Sequence, residues 1–82
     1  MNLHIIYTET DMVLSKKEYE SWREIQDEYV TYKASLGPWG MDEVIEYLTD
    51  EYPKLSPKAN IQIKEFENTN SQMWVLKFSE SQ

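Results

Sequence analysis

Hydrophobic and polar positions alternate from Asn2 to Thr8, with Leu3, Ile5 and Tyr7 on one side and His4, Ile6 and Thr8 on the other. That period of two predicts a strand over residues 2–8. Thr8-Glu9-Thr10-Asp11 reads as a polar turn, after which Met12, Val13 and Leu14 return briefly to extended structure. The period then changes. Ser15, with Glu18 three residues on, has the form of a capping box, and Leu14 and Tyr19 can close a hydrophobic staple around it. Trp22, Ile25, Tyr29, Tyr32 and Leu36 recur at steps of three and four. They predict one face of a first helix, ended by Gly37-Pro38. A second, shorter helix is predicted from Met41 to about Tyr52, with Met41, Val44, Ile45, Leu48 and Tyr52 as its apolar face and Pro53 ending it. Pro53 to Pro57 reads as a loop. Between Ala59 and Phe66 alternation resumes, Ile61 and Ile63 opposing Asn60, Gln62 and Lys64, with room for a bulge at Glu65-Phe66. Turn chemistry at Asn68-Thr69-Asn70-Ser71 and a strand from Met73 to Phe78, with Trp74, Leu76 and Phe78 facing one way, would complete a β-hairpin.

The order β-α-α-β-β predicts an α+β fold of two layers: a three-stranded, mostly antiparallel sheet with two helices on one face. Its other face would be bare. Ile6, Met73 and Val75 on that face would be covered by a target or by a second copy of the chain, a homodimer through the sheet.

Length sharpens this picture. A chain of 82 residues, read as a single acidic domain over 1–82, has a thin core, and with Cys 0 it has neither disulfides nor thiolate metal sites to reinforce it. Three Trp, six Tyr and two Phe supply the packing and argue against a disordered acidic chain. Residues 1–7 carry no basic region and no long apolar run, so neither a signal peptide nor a membrane span is expected, and a cytoplasmic protein is.

Catalytic chemistry has little to work with. There is one His, and the only glycines are Gly37 and Gly40, so no phosphate-cradling loop and no nucleophile-base set is visible. His4 in an alternating strand reads as a structural or an exposed histidine. The doublets Asp42-Glu43 and Asp50-Glu51 lack the Asp/Asn-rich, glycine-centred calcium pattern and read as a solvated helix face. No enzymatic activity, cofactor or metal is expected.

Fifteen acidic against eight basic residues give a formal net charge of -7. Direct binding of nucleic acid is disfavoured, because it depends on Lys and Arg displacing counterions, whereas docking on a basic protein surface is favoured. The acids are not scattered. Glu20, Glu24, Asp27 and Glu28 lie opposite the apolar face of the first predicted helix, and Asp42, Glu46 and Asp50 recur every four residues on the second, with Glu43 and Glu51 beside them. From Trp39 through Tyr52 there is no basic residue. Like charges four apart destabilise a helix by a few tenths of a kcal/mol each, so the rows call for a cause outside folding. Solubility and the dipole of the second helix account for part of them, Asp42 and Glu43 in particular. Positions four apart rise about 6 Å, comparable with the separation of successive phosphates along a DNA strand, so such a row can present a phosphate-like ladder.

In size, charge and the rows Glu20/Glu24/Asp27/Glu28 and Asp42/Glu46/Asp50, the chain resembles the small, acidic, cysteine-free proteins with which bacteriophages occupy the DNA-binding surfaces of host proteins. The resemblance implies an inhibitor of a basic, DNA-binding target such as a nucleoid protein, a nuclease or RNA polymerase. Trp39, in a tight turn between the predicted helices, either plugs the core or stands out as an anchor, which Tyr47 and Tyr52, flanking the same acidic helix, could join. The partner-binding set expected from sequence is therefore Glu20, Glu24, Asp27, Glu28, Trp39, Asp42, Glu43, Glu46, Tyr47, Asp50 and Glu51. The competing reading is an adaptor or regulatory subunit that binds a protein through exposed aromatics and the bare sheet face.

Overall fold

The computed structural model describes residues 2–78. Strands β1 (Asn2–Thr8) and β2 (Met12–Ser15) form an antiparallel hairpin in which Ile5 lies opposite Leu14 and Ile6 opposite Val13. The Thr8 N–H donates to the Asp11 carbonyl at 2.9 Å and the Asp11 N–H to the Thr8 hydroxyl at 3.0 Å, which ties the turn. Helix α1 (Trp22–Glu28), strand β3 (Tyr32–Gly40), helices α2 (Met41–Glu51) and α3 (Ala59–Glu67) and strand β4 (Met73–Val75) follow. The strands make one sheet in the order β3-β1-β2-β4, every neighbouring pair antiparallel.

The α+β class, both N-terminal strands, the 41–52 helix and the loop before Pro57 follow the hydrophobic pattern. Several expectations are corrected. The first helix does not run from Ser15 to Leu36. Ser15 is buried in β2, its hydroxyl paired with that of Tyr19 at 2.9 Å, and the helix starts six residues later on a second Ser-x-x-Glu, Ser21 to Glu24. The Ser21 hydroxyl accepts from the Arg23 N–H at 3.3 Å, and the Glu24 carboxylate accepts from the Glu20 N–H at 2.8 Å. Past Tyr29 the free edge of β1 recruits residues 32–40 as a strand, and the β-branched Val30 and Thr31 lead into it. The segment 59–66 is a helix and not a hairpin strand: Ala59, Gln62, Ile63 and Phe66 are buried at the spacing i, i+3, i+4, i+7, while Ile61 faces outwards. Finally, β4 pairs with β2, so the architecture has four strands and three helices where three and two were expected.

The sheet is packed on both faces. On one, α2 and α3 bring Val44, Leu48, Ile63 and Phe66 onto Leu3, Ile5 and Leu14. On the other, α1 lays Ile25 over Ile6 and Val13, flanked by Tyr19, Tyr29 and Tyr32. The second face is thus not bare, and Ile6 is fully buried. Met73 and Val75 at the β4 edge remain 40% and 48% exposed there. β3 takes a register shift opposite His4, between Leu3 and Ile5. Gly37 has φ +111°, and a Cβ on it would stand 2.7 Å from the Leu3 carbonyl oxygen, so glycine is required at that shift. Pro38 is accommodated because β3 is an edge strand.

Candidate protein-binding face

The acids of the first row do not form a file. Glu20 precedes α1, and the Glu24 carboxylate is held at the helix start by the Glu20 N–H. Glu28 pairs with the Lys17 ammonium, the only ion pair among the described residues, and accepts from the Tyr19 hydroxyl at 3.1 Å. Partial burial works to raise the Glu28 carboxyl pKa, but the ammonium and the phenol outweigh it and hold it below the ordinary carboxylate range. Asp27 is exposed at the end of the same short helix. Nothing in the sequence pattern pointed to the Lys17–Glu28 pair, because it bridges a turn to a helix across eleven residues.

The second row is intact. Val44 and Leu48 turn α2 inwards and leave Asp42, Glu46 and Asp50 as a line on its exposed side. Glu43 stands beside the line, one oxygen accepting from the Gly40 N–H at 2.9 Å, which caps the helix. Glu51, about 100° further round than Asp50, stands off the line. Asp42 and Glu43 sit where the helix dipole welcomes them. Asp50 and Glu51 sit in the last turn, which carries no basic residue, where the dipole opposes them.

Because α1 and α2 lie on opposite faces of the sheet, the two rows do not join into one negative surface. What α2 has beside it is aromatic. Trp39 is not in an interhelical loop; it lies near the end of β3, half-buried, its ring centroid 5.3 Å from that of Tyr47 at 70° between planes. The Tyr47 hydroxyl is 2.8 Å from that of Tyr7, which also meets the Tyr52 hydroxyl at 3.2 Å. Burial, with the hydrogen bonds from the neighbouring phenols, pushes the Tyr7 pKa far up. Trp39, Tyr47, Glu43 and Glu46 line a shallow cleft of about 230 Å³. Of the expected set, then, the structure gathers Trp39, Asp42, Glu43, Glu46, Tyr47 and Asp50, and separates Glu20, Glu24, Asp27 and Glu28 from them.

A larger open cleft of about 540 Å³, which the sequence did not signal, lies between Asn2, His4, Lys16, Lys17, Glu18, Tyr19 and Pro38. His4 is 8% exposed and stands edge-on to Tyr19 at 5.0 Å, and burial holds its imidazole below the ordinary range. Lys16 spans away from it, donating to the carbonyls of Phe66 (2.9 Å) and Thr69 (3.1 Å) at the end of α3.

Among the described residues no three His, Asp or Glu side chains converge to hold a metal ion, and no helix is long and apolar enough to cross a membrane. No protein-family model matches the chain, and comparison with curated proteins and with solved structures gives no match either.

Proposed function

We propose that the chain is an acidic, non-catalytic protein-binding inhibitor that seats the outer face of α2 on the basic, DNA-binding surface of another protein. The observation that carries this reading is the uncompensated charge at the end of α2. Asp42, Glu46 and Asp50 are like charges four apart, and Asp50 and Glu51 oppose the helix dipole with no basic residue in the last turn. Folding gains nothing from that arrangement, whereas a cationic surface does. The line from Asp42 to Asp50 is about 12 Å long at a rise of about 1.5 Å per residue, so it can stand in for a few successive phosphates and fill one basic groove.

Capture from a bacterial lysate on the immobilised chain, run beside an E46K/D50K variant and an E20K/E24K/D27K variant, tests this. The expected result is a basic DNA-binding protein retained at low salt, released by duplex DNA or by raised salt, lost on E46K/D50K and kept on E20K/E24K/D27K. Retention that survives E46K/D50K and high salt would refute it.

A second reading draws support from Met73 and Val75, two exposed apolar side chains on the same face of the edge strand β4. An adaptor, or a second copy of this chain, would dock there. In that case M73D/V75D removes binding or self-association and salt has little effect.

A further inference from the structure

The cleft between Trp39 and Tyr47 is more than the end of a core. Both rings are half-buried and pack on the main apolar cluster, which explains their inner faces. It does not explain Glu46, which with the capping residue Glu43 flanks the opening with two carboxylates three residues apart and no cation paired to either among the described residues. Like charges at that spacing repel, and a positive group between them would relieve both.

From this geometry we infer that the cleft receives the guanidinium of an arginine on the partner protein. The inference rests on the reading of α2 as the docking face and names its anchor. Rings inclined at 70° give a planar cation an aromatic face to stack on and a second wall to close against. Guanidinium suits this corner better than ammonium, since it stacks on aromatic faces while its N–H fork reaches carboxylates in its own plane. The site is also held in place before binding. One oxygen of Glu43 is fixed by the Gly40 N–H at 2.9 Å, leaving the other free to accept. Tyr47 is anchored through its hydroxyl to Tyr7 at 2.8 Å. Glu46 is exposed and free to close over the ligand.

The test is an NMR titration of the ¹⁵N-labelled chain with three blocked tripeptides, Gly-Arg-Gly, Gly-Lys-Gly and Gly-citrulline-Gly. Arginine is expected to shift the Trp39 indole N–H and the amides of Glu43, Glu46 and Tyr47 saturably, with a dissociation constant on the order of 1–10 mM, as befits a single side chain. Lysine should bind more weakly, and citrulline, with the same shape and no charge, should not bind. Glu43→Gln keeps an oxygen for the Gly40 N–H while removing the charge, so E43Q/E46Q should stay folded and weaken arginine binding about tenfold. Equal shifts with citrulline, or unaltered affinity in E43Q/E46Q, overturn the inference. Arginine shifts at Asp42 and Asp50 without any at Trp39 also overturn it, while leaving the docking role of α2 standing. Silence along the whole of α2 with arginine overturns the cleft and counts against that role as well.

Discussion

Replacing Gln62 with methionine should remove a quarter or more of this protein's stability. Gln62 is fully buried in α3, and its amide is saturated. Nε2 donates to the carbonyls of Pro57 at 2.7 Å and Lys77 at 2.9 Å, and Oε1 accepts from the Lys77 N–H at 2.9 Å and the Trp74 indole N–H at 3.1 Å. One side chain thereby joins α3 to the loop before it and to the chain leaving β4. Methionine has similar length and no hydrogen-bonding capacity to match. Four bonds at a net value of about 1 kcal/mol each come to roughly 4 kcal/mol. Pro57 and Lys77 are exposed residues whose backbone groups can partly recover water, which lowers the expected loss to about 3 kcal/mol. A chain of this length has about 4–12 kcal/mol to lose at 0.05–0.15 kcal/mol per residue. Urea unfolding followed by tryptophan fluorescence and far-ultraviolet circular dichroism should show a lower midpoint at an unchanged slope. Gln62→Glu sharpens the test. It places a carboxylate oxygen where Nε2 donated, facing two carbonyl oxygens, so at neutral pH it should destabilise more than methionine. Its folded-state pKa would be raised, and the deficit should shrink as pH falls through that value, when the protonated acid can donate once. A loss under about 1 kcal/mol for Gln62→Met, or a Glu variant as stable as wild type at pH 7, would show that the network contributes little.

Three further outcomes are expected. Gly37→Ala should destabilise by about 1–3 kcal/mol, because φ +111° is costly for alanine and its methyl would meet the Leu3 carbonyl; denaturant titration measures it. Lys16→Met should cost about 1–2 kcal/mol and loosen the end of α3, read as faster amide exchange from Lys64 to Thr69, since its ammonium holds two terminal carbonyls and lies 4.5 Å from the Phe66 ring centre. His4 is kept neutral by burial, so its pKa in the folded chain is below the 6.5 of the unfolded one. Stability from this group is complete above 6.5 and is lost as pH falls through the folded value, with a slope of at most about 1.4 kcal/mol per pH unit, and His4→Gln should flatten that part of the stability–pH curve.

How far the sequence could be read depended on whether a period had one interpretation. For β1 and α2 it did. In α3 it did not: Ile61 and Ile63 alternate like a strand, yet Ala59, Gln62, Ile63 and Phe66 also mark a helix stripe, and the deciding residue, Gln62, is polar and looks like surface. At the first helix two Ser-x-x-Glu starts compete, Ser15 to Glu18 and Ser21 to Glu24. The earlier one loses because Ser15 is drawn into the β1–β2 hairpin. Of the candidate face, the α2 line was visible from acid spacing alone. Its cleft was not, since Trp39 reaches Tyr47 only once residues 32–40 become a strand.

The α+β class, the acidic surplus and a helix from Met41 whose exposed side carries Asp42, Glu46 and Asp50 were legible along the chain, because they follow from composition and from short-range periodicity. Folding alone fixed which edges of the hairpin are extended, the placement of α1 and α2 on opposite faces of the sheet, and the pairing of Glu28 with Lys17 while the acids of α2 have no cation. Those outcomes turn on pairing between segments far apart in the chain. Strand edges and bare apolar faces must be satisfied by whichever segment can reach them, and local pattern holds no information about that competition.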